Sequence, residues 1–207
     1  MSIDHPPARK GGTAGRLLGL TLLAVLAGYG NPAAVFAQPK PYLALADRLD
    51  RPQDGYCIDI AGSGDWIDVT IPLAAHNCKG PATYPDQAVR YDPASGQVRF
   101  YRLQVCMTAL GRNGRSLAQM PLLAQPCVTP HVSEPLPFAS AALQAFDFRS
   151  DGRLELRGSG LCVVAGASSD TTFSPADKWR ALQMTPCTGA PAALSVWVRP
   201  PAPSGSG

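Results

Sequence analysis

What this chain lacks narrows its function before any motif is weighed. It has no Cys-x-x-Cys pair and only three histidines, so zinc-ligand spacing is absent. It has no Gly-rich phosphate loop, no nucleophile-elbow serine and no His/Glu metal pattern, so no recognisable catalytic motif is present and an enzyme is not expected. Its main apolar run, Leu17 to Gly28, is shorter than the roughly 20 residues that cross a bilayer. Surplus charge is missing too. Residues 1–37 carry three of the 18 basic groups and one of the 15 acidic ones, leaving 15 against 14. A near-neutral balance argues against nucleic acid as a partner, which needs a basic face.

The first 37 residues read as a signal peptide. Arg9, Lys10 and Arg16 form a basic start, Leu17 to Gly28 is apolar, and Val35-Phe36-Ala37 places small residues where a signal peptidase reads. Cleavage is expected before Gln38. With no stable membrane span, this predicts a secreted or periplasmic protein. The end, 200–207, reads Pro-Pro-Ala-Pro-Ser-Gly-Ser-Gly and is expected to be a flexible tail. About 160 residues remain, enough for one domain with its own core.

Six cysteines fall in that remainder, as Cys57/Cys78, Cys106/Cys127 and Cys162/Cys187. The sequence around them recurs. Tyr56-Cys57-Ile58-Asp59 answers Val105-Cys106-Met107-Thr108 and Leu161-Cys162-Val163-Val164, and the closing cysteines follow His76-Asn77, Gln125-Pro126 and Thr185-Pro186. An exported chain meets an oxidising compartment, so disulfides are expected and no metal or other cofactor is. Of the fifteen connectivities open to six cysteines, the repeat selects the one in which each opening Cys bonds the closing Cys of its own copy. Loops of about 20 residues closed in this way contribute about 3 kcal/mol each.

Between the cysteines, Gln97–Leu103 and Arg153–Arg157 alternate apolar and polar residues with the period of a half-buried strand. Pro93-Ala94-Ser95-Gly96 and Ser150-Asp151-Gly152 punctuate them as turns. Each copy also carries a third segment: Gln87-Ala88-Val89, Gln144-Ala145-Phe146 and Ser195-Val196-Trp197. Many short strands with frequent turns indicate an all-β fold. Residues 38–55 form a lead-in with no counterpart in the other copies, and Tyr42-Leu43-Ala44-Leu45 is the candidate first strand.

An opening Cys with Asp two positions on, a ring near the closing Cys, and then Gln-x-Trp: this resembles the ricin B-type lectin β-trefoil, with degenerate repeats, over residues 56–199. The resemblance implies three repeats of four strands, with Val89, Phe146 and Trp197 as equivalent core residues. It also implies sugar binding wherever a copy keeps a carboxylate, an aromatic ring and the polar pair. The first copy keeps Asp59, His76 in place of the aromatic, and Asp86-Gln87 as the pair, while Ala74 replaces a potential acceptor. Trp66, in a Gly/Ser loop, either supplies a better ring or folds back over the barrel rim. The second copy has Thr108 for the Asp, and the third has Val164, so both sites are expected to be lost.

The implied partner is a glycan or glycoconjugate, bound in the first repeat only. Two alternatives stay open. Asp59 and Asp86 fit turn-forming roles as well as sugar contacts. The proline-stiffened connection at 129–138 would suit a protein partner on a β-trefoil that has lost sugar binding. The extension at 167–175, which lengthens the third cysteine pair, is open to the same reading.

Overall fold

The computed structural model describes residues 42–80, 84–128 and 140–200. The signal peptide expected at 1–37, the connection at 129–138 and the tail from 201 onward lie outside the described residues.

The described residues form fifteen short strands. They are β1 (Ala44–Leu45), β2 (Tyr56–Asp59), β3 (Ala74–Asn77), β4 (Val89–Asp92), β5 (Gln97–Phe100), β6 (Val105–Ala109), β7 (Gly111–Arg112), β8 (Arg115–Ser116), β9 (Leu122–Pro126), β10 (Phe146–Phe148), β11 (Leu154–Leu156), β12 (Leu161–Ala165), β13 (Asp170–Thr171), β14 (Lys178–Pro186) and β15 (Trp197–Val198). Twelve of them make a threefold barrel. The opening and closing strands of each copy pair antiparallel as β2–β3, β6–β9 and β12–β14. The register is identical in all three, with each opening Cys opposite the residue two before its closing Cys: Cys57↔His76, Cys106↔Gln125 and Cys162↔Thr185.

The disulfides close within each copy, as the repeat selects. Cys57–Cys78, Cys106–Cys127 and Cys162–Cys187 have Cα separations of 5.0, 4.9 and 4.9 Å. Each closing Cys lies just past the end of its strand, so the bond ties the chain leaving the ladder back to the opening strand. The first and second staples are less enclosed at the closing Cys: Cys57 and Cys106 are fully buried, whereas Cys78 and Cys127 are half-buried, and Cys127 Sγ lies 3.9 Å from Gln104 O. Bonded to Cys106, that sulfur has no proton to donate.

The remaining strands link one copy to the next. β4–β5–β6 and β10–β11–β12 run antiparallel into the following opening strand. The third linkage is β15–β1–β2. The lead-in therefore does have a counterpart: β1 supplies the fourth strand of the third copy and closes the ring. Sequence comparison missed this because the copy is split between the two ends of the chain. β7, β8 and β13 are additions to the twelve.

The core repeats as the strands do. Ile58, Met107 and Val163, one position after each opening Cys, are fully buried, as are Leu73, Leu122 and Leu182, five before each closing Cys. Val89, Phe146 and Trp197 are buried too, which confirms their packing role. Adjacent copies are stitched at the hairpin turns, where Phe146 N–H donates to Gly96 O and Trp197 N–H to Gly152 O, both at 2.9 Å. Both glycines hold positive φ, and a Cβ on Gly96 would stand 2.8 Å from the Phe146 backbone, so a side chain there would collide with the next copy.

β14 is longer than its counterparts, with nine residues against five in β9 and four in β3. Its second half pairs β12. Its first half leaves the third copy and pairs β3 of the first, with Trp179↔His76, Arg180↔Ala75 and Ala181↔Ala74. β13 flanks it on the other side. The extension that lengthens the third cysteine pair thus lies beside the first repeat.

Candidate functional site

Residues directly opposite in antiparallel strands point to the same face. Asp59 and Ala74 face one another, His76 lies two residues on from Ala74, and Trp179 and Ala181 lie opposite His76 and Ala74 on the far side. These five side chains share one face across three strands. Four of them, Asp59, Ala74, His76 and Trp179, line a cavity of about 610 Å³. Its walls include Gly62, Ser63, Ile71, Tyr84, Thr172, Phe173 and Asp177.

The polar floor is organised by Lys79, the residue after the closing Cys78. Its ammonium lies 3.1 Å from Asp59 Oδ2 and 2.5 Å from Asp86 Oδ2, and it faces the Tyr84 ring at 5.6 Å. Asp59 and Asp86 each keep one buried oxygen, Oδ1, with no donor among the described residues. Burial pushes the Asp59 carboxyl well above the ordinary range; Lys79 pulls it down, and the neighbouring Asp86 pushes it up again. Burial works against the Lys79 ammonium, but Asp59 and Asp86 outweigh it and hold its pKa above the usual lysine value. His76 Nδ1 is 3.5 Å from Asp59 Oδ2, and Nε2 is 3.4 Å from Thr172 Oγ1. Burial, aided by Lys79, lowers the His76 pKa, so its imidazole is neutral at pH 7.

The structure brings only part of the sequence-derived set together. Asp59 and His76 line the cavity. Asp86 is fully buried behind Lys79. Gln87 is fully buried, and its amide is committed to backbone: Oε1 accepts from Lys79 N at 2.7 Å, and Nε2 donates to Asn77 O at 3.1 Å. Gln144 repeats this in the second copy, with Val128 N at 2.8 Å and Pro126 O at 2.9 Å. The amide therefore fastens the chain on both sides of the closing Cys. Trp66 sits on a 3₁₀ turn, Gly64–Trp66, with 87% of its surface exposed, and is not among the cavity-lining residues. Of the cysteines, Cys78 contributes to the cavity wall. Cys57, Cys106, Cys127, Cys162 and Cys187 do not, and their part is to staple the copies.

Sequence reasoning missed Lys79, Tyr84, Phe173, Asp177 and Trp179. Lys79 had a local signal, a cation adjacent to the closing Cys. The last three had none, because only strand pairing reveals that the third copy borders the first. In the second copy, Thr108 is buried, accepts from Gln144 and donates to Cys106 O at 3.1 Å. In the third, Val164 is buried in a small apolar cluster with the Cys162–Cys187 disulfide.

No family model matches the chain, and no curated protein matches it. Among solved structures it is similar to the solution structure of the mdaA-1 domain, with a TM-score of 0.53 at 14% identity over 77% of this chain and 89% of that one. It is also similar to cytolethal distending toxin from Actinobacillus actinomycetemcomitans, with a TM-score of 0.50 at 15% identity over 82% of this chain and 97% of that one. At such identities the likeness is one of fold alone. The agglutinin from Abrus precatorius aligns over 79% of this chain and 47% of its own, at 18% identity and a TM-score of 0.37, too loosely to add to this.

Proposed function

We propose that the protein is an exported carbohydrate-binding module with a single site, in the cavity of the first repeat. The supporting observation is the cavity's composition: a hydrogen-bonding floor of Asp59, His76 and Lys79 beneath walls that carry Tyr84, Phe173 and Trp179. Pyranose rings need both elements, polar groups for their hydroxyls and an apolar ring for their carbon face. The three disulfides fit an oxidising compartment, in keeping with 1–37 as an export signal. A single site of this kind binds weakly, about millimolar or 4 kcal/mol, and gains strength from surface display or multivalent ligands.

The test is a glycan-array screen of the oxidised chain from Gln38, beside Asp59→Ala and Ala74→Phe. The first removes the carboxyl, and the second fills the floor while leaving the ion cluster in place. Binding by the parent chain that both variants lose would establish the site. Binding retained by both, with the fold verified, would move it elsewhere.

A further inference from the structure

The first repeat has no aromatic ring of its own on the cavity floor, because His76 stands at the position implied for it. The ring that does lie on this face is Trp179, from the third repeat. It is directly opposite His76 in the β3–β14 ladder. Its surface is 37% exposed and contributes to the cavity wall. Among the described residues its indole makes no hydrogen bond and no ring–ring contact. Trp197 differs in exposure and in hydrogen bonding: it is buried, and its Nε1 donates to Val163 O at 2.9 Å.

The strand beneath Trp179 is braced. Arg180, the next residue, is buried and donates to Gly166 O, Ala167 O and Asp50 Oδ1 at 2.7–2.8 Å, with its guanidinium 4.9 Å from the Tyr56 ring centroid. Asp50 also accepts from Tyr56, Ser169 and Lys178 at 2.7 Å each. A platform fixed in this way meets a ligand without first being ordered.

The cations around the cavity are already committed. Lys79 is shared by Asp59 and Asp86, Arg51 is bound to Asp54, and Lys178 and Arg180 are bound to Asp50. Among the described residues no uncommitted cation is left there to receive an acidic sugar, whereas Asp177 on the wall accepts from Ser174 Oγ at 2.7 Å and forms no ion pair.

We propose that Trp179 is the stacking platform of this site, so that an oligosaccharide without acidic groups binds across the seam between the third and first repeats, its ring on the indole and its hydroxyls over Asp59, Lys79 and His76. This rests on the single-site carbohydrate reading above and adds the ring and the ligand class. Phe173, 92% exposed at the rim, would extend the platform to a second sugar unit.

The probe is an array of neutral, amino-sugar and uronate- or sialate-bearing oligosaccharides, followed by calorimetry with the strongest hit. Trp179→Ala and Trp179→Phe are compared with the parent chain. The expected result is a hit without acidic groups whose affinity falls about ten-fold or more in Trp179→Ala and is largely kept in Trp179→Phe. In a Trp66→Phe background, ligand addition should shift the fluorescence of Trp179, a change that a purely structural Trp would not show. If Asp59→Ala loses binding while Trp179→Ala keeps it, the platform assignment fails and the first-repeat site stands. Strongest binding to acidic glycans overturns the ligand class. Absence of glycan binding, or indifference to Asp59, Ala74 and Trp179 together, overturns both proposals.

Discussion

Replacing Gln144 by alanine should be among the most damaging single changes outside the apolar core, although the residue touches no cavity. Its side chain is fully buried. Oε1 accepts from Val128 N at 2.8 Å and Gln97 Nε2 at 3.2 Å, and Nε2 donates to Thr108 Oγ1 and Pro126 O at 2.9 Å each. Thr108 keeps its bond to Cys106 O and Gln97 its bond to Val128 O, so the change strands chiefly Val128 N–H and Pro126 C=O, the backbone groups on either side of Cys127. Four lost hydrogen bonds at about 1 kcal/mol net each, two of them to part-buried backbone groups, sum to about 3–5 kcal/mol. In a domain of this size that lowers Tm by roughly 10 °C. Urea and thermal unfolding of the oxidised variant would measure it. A loss below about 1 kcal/mol would refute the strut role here and, by equivalence, return Gln87 to the ligand-binding candidates. The third copy supplies an internal comparison. There Ser195 replaces the glutamine, and Arg153 fills the space, donating to Ser195 Oγ at 3.2 Å and Ala190 O at 2.8 Å.

Two further outcomes follow from the ion clusters. Asp59 is shifted upward in the folded protein, so its protonated form is favoured there, and the stability it contributes at acid pH is lost as pH rises from about 4 through the folded pKa. Asp59→Asn, compared with the parent in a His76→Gln background because burial shifts His76 in the opposing sense, should flatten that decline, whose limiting slope is about 1.4 kcal/mol per pH unit; an unchanged curve in urea titrations from pH 4 to 8 would contradict it. Asp50→Ala should loosen the 167–178 extension, speed amide exchange there and weaken glycan binding several-fold without any contact with the ligand, whereas unaltered exchange would show that the extension holds without this brace.

Much of the fold is legible in the sequence because threefold repetition samples each position three times. The cysteine pairs, the apolar residue after each opening Cys and the Val89/Phe146/Trp197 set recur at coherent spacing, and the barrel uses them equivalently. The role of β1 was hidden because a circular architecture cut once leaves one copy with its strands at opposite ends of the chain. The site is less legible. Asp59 and His76 are readable from local spacing, and both line the cavity. Gln87 was misleading for a physical reason: a polar residue kept at fixed spacing is expected of a backbone strut as much as of a sugar contact. Trp179 carried no local signal, since its partner His76 is 103 positions earlier and only the β3–β14 ladder brings them together.

The asymmetry of the site follows from the one long connection into an opening strand, between β1 and β2. A perfect threefold barrel would offer three equivalent seams, each able to take an insertion between its opening and closing strands. The second repeat places its short hairpin β7–β8 in that region, and among the described residues it makes no ladder with a neighbouring copy. The third repeat's insertion does, because a segment found once in the molecule holds it from below. Asp50, between β1 and β2, binds Ser169, Lys178 and Arg180, while Arg51 donates to Ala176 O. Among the described residues no other seam has such a segment, since elsewhere the fourth strand runs on into the next opening strand within about five residues: β5 ends at Phe100 with β6 starting at Val105, and β11 ends at Leu156 with β12 starting at Leu161. Ten residues separate β1 from β2, and that added length carries the brace. A cavity at the first repeat is therefore what the barrel's single break in symmetry permits, and grafting the 167–178 extension into the second repeat without a matching Asp50–Arg51 segment should give a mobile loop and no second binding site.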